Sequence, residues 1–166
     1  MAAILGLDDE KIKEICTNYN GNVIAANFNC PGQVVISGEI NSVKDICEKF
    51  NSLGARRSLI LPVSGAFHSS LMNDAKSELK EAIDSTNFSE PSCPIYQNFN
   101  SNKTVVISEI KNNLINQLTN PVLWTQTINT MINDGINDFI EVGPGKVLQG
   151  LIRKINRDCS TRSALA

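Results

Sequence analysis

Residue types able to do acid–base or nucleophilic chemistry gather once in this chain. His68, the only histidine, lies in the stretch LPVSGAFHSSLM (residues 61–72), with Ser64, Ser69 and Ser70 beside it. Imidazole titrates near neutral pH and can take a proton from a hydroxyl, so the stretch is a candidate for catalysis. A serine nucleophile, however, ordinarily comes from a different element and meets its base in space. No G-x-S-x-G elbow occurs in the chain. Turn and cap roles are the plainer reading of the three serines, and a structural role is the plainer reading of His68.

Three other clusters have equally plain alternatives. Gly143, Pro144, Gly145 and Lys146 suggest a phosphate loop, but the Walker spacing is absent and no Ser or Thr follows the lysine. A tight strand-to-helix turn accounts for the glycines. Asp8, Asp9 and Glu10 stand where a helix should start, and capping plus the helix dipole explains them without a metal. Arg56 and Arg57 read either as a solvated strand edge or as a contact for an acidic partner. Cys16, Cys30, Cys47, Cys93 and Cys159 are odd in number and contain no C-x-x-C pair. Neither a disulfide framework nor a zinc site is expected, and a reducing, cytosolic-type compartment fits.

The elements that must position these residues follow from periodicity. Residues 2–7 are an apolar strand. Asp8 or Asp9 caps a helix through Ile12, Ile15, Cys16 and Tyr19. Residues 23–29 and 33–37 form a hairpin about the turn at Pro31 and Gly32. Asn41 or Ser42 caps a helix carrying Val43, Ile46, Cys47 and Phe50, with Gly54 just past its end. Residues 57–63 make a fourth strand. The order β-α-β-β-α-β is the split βαβ, ferredoxin-like arrangement.

Beyond His68 a helix is expected at once, with Leu71, Ala75, Leu79 and Ala82 on one stripe. A strand follows at 95–99. Helices capped by Ser108 and by Asn120 with Pro121 come next, then a strand at 138–142 and a helix through Val147, Leu151 and Ile155. Strands alternating with helices indicate α/β organisation. The expected division is a small subdomain at 1–63 and a second portion at 64–166. The first strand begins on residue 1 with no polar lead-in, and termini are usually solvated. The second portion has few strands for a sheet carrying helices. Both features read as the inside of a longer protein.

Composition narrows the partners. The 166 residues carry a formal net charge of −2, with a pI near 5.4, which argues against a nucleic-acid binder. No apolar run approaches the ~18 residues of a membrane-spanning helix, so no membrane role is expected.

Five stretches, taken together, are similar to one family. They are MAAILGL at 1–7, NFNCPGQVVISG at 27–38, LPVSGAFHSSLM at 61–72, QLTNPVLW at 117–124 and EVGPGKVL at 141–148. In this order they resemble the malonyl-CoA:acyl-carrier-protein transacylases of type II fatty-acid synthesis. The resemblance implies an α/β-hydrolase-like large subdomain interrupted by a ferredoxin-like small one. It also implies ping-pong transfer of malonyl from coenzyme A to the phosphopantetheine thiol of acyl carrier protein, without a cofactor or metal. His68 matches the histidine that activates the serine, and the backbone carbonyl of Gln117 matches the group that orients it. Phe67 matches the Ala-Phe-His pattern associated with malonyl selection. Asn27 and Asn29 match the Asn-Phe-Asn strand near the cleft, where they either order a loop or touch substrate. Arg56 and Arg57 are compatible with docking the acidic carrier protein. Family members are typically monomeric, and they are cytoplasmic or in the matrix of organelles with bacterial-type fatty-acid synthesis.

The family's F-P-G-Q-G-S-Q and G-H-S-L-G-E segments, the second bearing the nucleophile, do not occur among the 166 residues. The expectation is therefore a C-terminal fragment that cannot transfer malonyl alone. Two alternatives stay open: a non-catalytic module binding carrier protein or coenzyme A, and a decayed, inactive remnant.

Overall fold

The computed structural model describes residues 1–164; residues 165 and 166, the end of the expected second portion, lie outside the described residues. Strand β1 (Ala2–Leu5) is followed by helix α1 (Asp9–Thr17), strands β2 (Val23–Cys30) and β3 (Gln33–Gly38), helix α2 (Ile40–Ser52) and strand β4 (Arg57–Ile60). The four strands form one antiparallel sheet in the order β2-β3-β1-β4, which is the ferredoxin-like arrangement. Alternation places Ala2, Ile4, Val34 and Ile36 on one face, fully buried against Ile12, Val43, Ile46 and Phe50 of the two helices. Each of the valine, isoleucine and phenylalanine side chains contributes about 1.5–3 kcal/mol by leaving water. Gly38 permits a close crossing, since a Cβ there would lie 1.9 Å from the carbonyl oxygen of Asn22.

The next elements are a 3-10 turn (Ser70–Met72), helix α3 (Asn73–Ser85), a short hairpin of β5 (Ile95–Tyr96) with β6 (Lys103–Thr104), and helices α4 (Ile107–Gln117) and α5 (Trp124–Asn133). Strand β7 (Asp138–Glu141), helix α6 (Val147–Ile155) and strand β8 (Ser160–Ser163) complete the described chain, with β7 and β8 parallel. A second core gathers Ile128, Phe139, Ile152 and Cys159 under Trp124 and Met131. The chain is thus of mixed α/β type. No helix among the described residues is long and apolar enough to cross a membrane.

Of the two caps expected for α1, Asp8 is the one used, accepting from the Lys11 N–H at 3.1 Å. Several other boundaries differ from the periodicity reading. Helix α2 begins before Asn41, with Glu39 at its cap and Ser42 buried in its first turn. Helix α4 is capped by Val106 rather than Ser108, because the Thr104 hydroxyl takes the Val106 N–H at 3.0 Å and fixes the start earlier. Helix α5 starts at Trp124, three residues after Pro121, because Val122 stays extended to bridge Asn27 of β2. After His68 the chain first makes the 3-10 turn and only then the helix.

Candidate active site

The site is built at the C-terminal end of α4. The last carbonyls of a helix have no intrahelical partner, and here those of Gln117 and the cap residue Leu118 receive the histidine loop. The Nδ1 of His68 lies 2.9 Å from the carbonyl oxygen of Gln117, and the His68 backbone N–H donates to the Leu118 carbonyl at 3.0 Å. Residue 68 reaches both acceptors with a left-handed backbone, φ +63°. A carbonyl oxygen can only accept, so Nδ1 carries the proton of the neutral ring and Nε2 keeps its lone pair. The imidazole is half-buried.

The acceptors are themselves fixed. The Gln117 side-chain amide donates to the carbonyls of Asn120 (3.0 Å) and Pro121 (3.1 Å). Asn120 donates back to the Asn116 carbonyl at 2.8 Å. The Lys76 ammonium of α3 reaches Asn116 Oδ1 at 2.9 Å. Val122 exchanges backbone bonds with Ala26 and Phe28 at 2.8 and 2.9 Å, and the Thr125 hydroxyl donates to the Phe28 carbonyl at 3.0 Å. Residues 117–125 therefore clamp the histidine loop to β2. The sequence reading missed the Gln117 side chain, Lys76 and Thr125, and took Asn120 only for a helix cap. For Gln117, Asn120 and Thr125 the only signal was a density of amide and hydroxyl side chains after the apolar stripe of α4; Lys76, on α3, gave none.

Phe67 is half-buried, and its ring lies over Gly65 beside Met72: a Cβ on Gly65 would stand 3.4 Å from the ring and 3.6 Å from the Met72 sulfur. Asn27 and Asn29 are half-buried on β2, and the backbone at Asn27 bridges Val122, five residues beyond Gln117. Ser69 is buried and its hydroxyl donates to the Ala66 carbonyl at 2.6 Å, closing a turn. Arg56 and Arg57 are exposed at the start of β4, the end away from the segment leading to His68. The structure brings His68, Gln117 and the strand of Asn27 together, and leaves the two arginines apart from them.

The other clusters have local structural roles. The N–H groups of Leu148 and Gln149, at the start of α6, donate to the Glu141 carboxylate at 3.1 and 3.2 Å, so the amides a phosphate would need are already engaged. Gly143 and Gly145 adopt φ +140° and +87°, as the turn demands. Asp9 accepts from the Gly32 N–H at 2.9 Å, and burial pushes its carboxyl up despite that bond.

Over residues 1–164 the chain matches the acyl transferase domain family. It is 42% identical to the malonyl CoA-acyl carrier protein transacylase of Staphylococcus aureus (strain COL), over 98% of this chain and 54% of that protein. The acyl-carrier-protein S-malonyltransferase of Burkholderia pseudomallei 1710b superposes with a TM-score of 0.94 at 37% identity, covering 98% of this chain and 53% of that one. A structure of a type II PKS acyl-carrier protein in complex with its malonyl-transacylase gives 0.93 at 34% identity, with coverage of 98% and 53%. The chain spans about half the length of the curated relatives it matches. A histidine loop seated on a helix end, an antiparallel sheet joined to it through Val122, and a match running from residue 1 to residue 164 lead to one conclusion: the chain belongs to the acyl transferase domain family.

Proposed function

We propose that this chain carries the histidine part of a site that moves malonyl from coenzyme A to the phosphopantetheine thiol of acyl carrier protein. The carrying observation is the 2.9 Å contact from His68 Nδ1 to the Gln117 carbonyl oxygen, which leaves Nε2 as the available base. In this reading a serine outside the 166 residues attacks the malonyl thioester. His68 Nε2 takes the serine proton, the tetrahedral intermediate collapses, and the coenzyme A thiolate leaves with that proton. The carrier thiol then attacks the malonyl–serine ester, again through His68, and the serine is regenerated. Positioned general base catalysis of this kind contributes about 10²–10⁴-fold. A carbonyl partner fixes the tautomer without adding a buried charge beside the ring.

The remaining residues take supporting roles. Phe67 narrows the space beside the α-carbon of the acyl group and disfavours methylmalonyl, a contact worth about 1–3 kcal/mol. Asn27 and Asn29 order the cleft strand next to the loop of 117–122. Arg56 and Arg57, exposed and outside every ion pair among the described residues, attract an acidic carrier protein and raise its on-rate. The similarity to a malonyl-transacylase solved with its carrier protein supports that partner. The division at residues 63 and 64 separates the sheet of β1–β4 from the part bearing His68. No cofactor is needed, and a cytoplasmic or organelle-matrix setting suits the substrates.

The test joins the chain to the part of the Staphylococcus relative that lies outside the match, and measures malonyl transfer. The 166 residues alone should show none, and the joined protein should show transfer that falls by at least about 10²-fold on His68→Ala. Transfer by the 166 residues alone, lost on His68→Ala, would overturn the assignment of the nucleophile elsewhere. Joined activity that is indifferent to His68→Ala would overturn the role of the histidine.

A further inference from the structure

The histidine loop folds back on itself so that two of its side chains meet over one glycine. The Ser69 hydroxyl donates to the Ala66 carbonyl at 2.6 Å, and the Met72 N–H donates to the Ser69 carbonyl at 3.1 Å. Between them the His68 N–H is tied to the Leu118 carbonyl at 3.0 Å. These bonds return the chain to Gly65, where a Cβ would stand 3.4 Å from the Phe67 ring and 3.6 Å from the Met72 sulfur. Ring and thioether therefore close over the same side of that bare Cα.

The two side chains are not equally anchored. Met72 ends the 3-10 turn of Ser70–Met72 and stands at the cap of the 13-residue α3, so its backbone is held by a helix. Phe67 lies in the irregular stretch between β4 and that turn, and its ring swings on two side-chain torsions. Both are half-buried. What the ring rests on thus decides where it stands. Methionine suits the place, since its unbranched, polarisable thioether packs favourably against aromatic rings. The bonds that aim His68 do not use the Met72 side chain, so changing that side chain leaves them in place.

We propose that Met72 is a specificity-determining residue: its thioether braces the Phe67 ring over Gly65 and so sets the width of the space beside the α-carbon of the acyl group. Met72 acts through Phe67 and is a positioning residue, touching neither the acyl group nor the imidazole. The proposal rests on the reading of Phe67 as the group that disfavours methylmalonyl, and adds what holds the ring to that task. A braced ring excludes an α-methyl branch, whereas a ring that swings into an emptied Met72 site admits it. Packed side chains respond in this way when a neighbour is cut back, because the space left behind is partly filled by their movement.

The joined protein described above tests it, with malonyl-CoA and methylmalonyl-CoA as competing donors. Met72→Ala should lower the preference for malonyl by about tenfold, the low end of the roughly 10–200-fold that a methylene-sized contact supplies. The change should come chiefly from faster transfer of methylmalonyl, whereas a merely structural loss would slow both donors alike. Met72→Leu, of similar volume, should keep the preference. Phe67→Ala should lower it at least as far, and adding Met72→Ala to Phe67→Ala should lower it no further. A preference that survives Met72→Ala but not Phe67→Ala overturns the proposal and spares the reading of Phe67; one that survives both sinks the two together. Additive losses also overturn it, since Met72 would then meet the acyl group itself. The contact is read without activity from the Met72 methyl in NMR. Its signal should shift on Phe67→Ala and show a nuclear Overhauser effect to the ring, and a methyl that does neither overturns the brace.

Discussion

His68 and Gln117 stand 49 positions apart, yet the ring of one rests 2.9 Å from the main-chain oxygen of the other. Because that oxygen only accepts, the neutral ring has its proton on Nδ1. Nitrogen NMR of the neutral imidazole should show the Nδ1–H tautomer. The Nε2–H form would contradict the geometry.

Replacing the Gln117 side chain leaves its carbonyl in place but removes the donor that holds Asn120 and Pro121. Gln117→Ala should cost about 1 kcal/mol in urea unfolding, as the two carbonyls lose their partner. In the joined protein it should lower transfer while keeping the Nδ1–H tautomer.

The left-handed backbone at residue 68 costs any residue with a Cβ about 1 kcal/mol or more. Both His68→Ala and His68→Gly delete the imidazole, so their difference isolates the backbone. The glycine variant should be the more stable of the two by about 1 kcal/mol in denaturant titration.

Burial, reinforced by the neighbouring Cys47 thiol, pushes the Cys16 thiol up from its ordinary value near 9 to about 12. In the unfolded chain the thiolate forms first, so this group's stabilising contribution is whole below pH 9 and declines as pH rises from 9 towards 12. Cys93 is exposed. A thiol reagent at pH 8 should modify Cys93 within minutes and Cys16 only on unfolding, which peptide mapping would show.

Burial alone would raise the Glu141 carboxyl, but the N–H groups of Leu148 and Gln149 outweigh it and hold the carboxyl below its usual range. Its contribution is present above the unfolded carboxyl value and is lost as pH falls through the lowered one. Glu141→Gln should therefore lower stability at neutral pH and flatten the acid limb, read by circular dichroism against pH.

How far the chain was legible depended on whether a residue's role was local. Ile12, Val43, Ile46 and Phe50 recur at helical spacing and pack as that spacing demands. The hairpin at Pro31 and Gly32 likewise announces itself. Helix starts were read less well: Thr104 fixes that of α4 from two residues before its cap, and Glu39 stands at the cap of α2 with no side-chain cap bond, its carboxylate taken by Asn22. Strand β8, Ser-Thr-Arg-Ser, has no apolar alternation and is defined only by its partner β7. At the site, a single histidine suggested chemistry, but its distant acceptor came from the family resemblance. The clamp by Lys76, Asn120 and Thr125 depends on tertiary contacts that periodicity does not encode.

Val122 accepts from Phe28 and donates to Ala26, so it lies along β2 as a one-residue addition to the four-stranded sheet. That places it on the outer side of β2, the strand at one margin of the order β2-β3-β1-β4. Unprotected margins invite pairing with other chains. The stretch that aims the imidazole is thus also the guard against self-association of the sheet. A change that pulls Val122 away should disorient His68 and make the chain sticky in one stroke, so loss of transfer in the joined protein and loss of solubility should appear together.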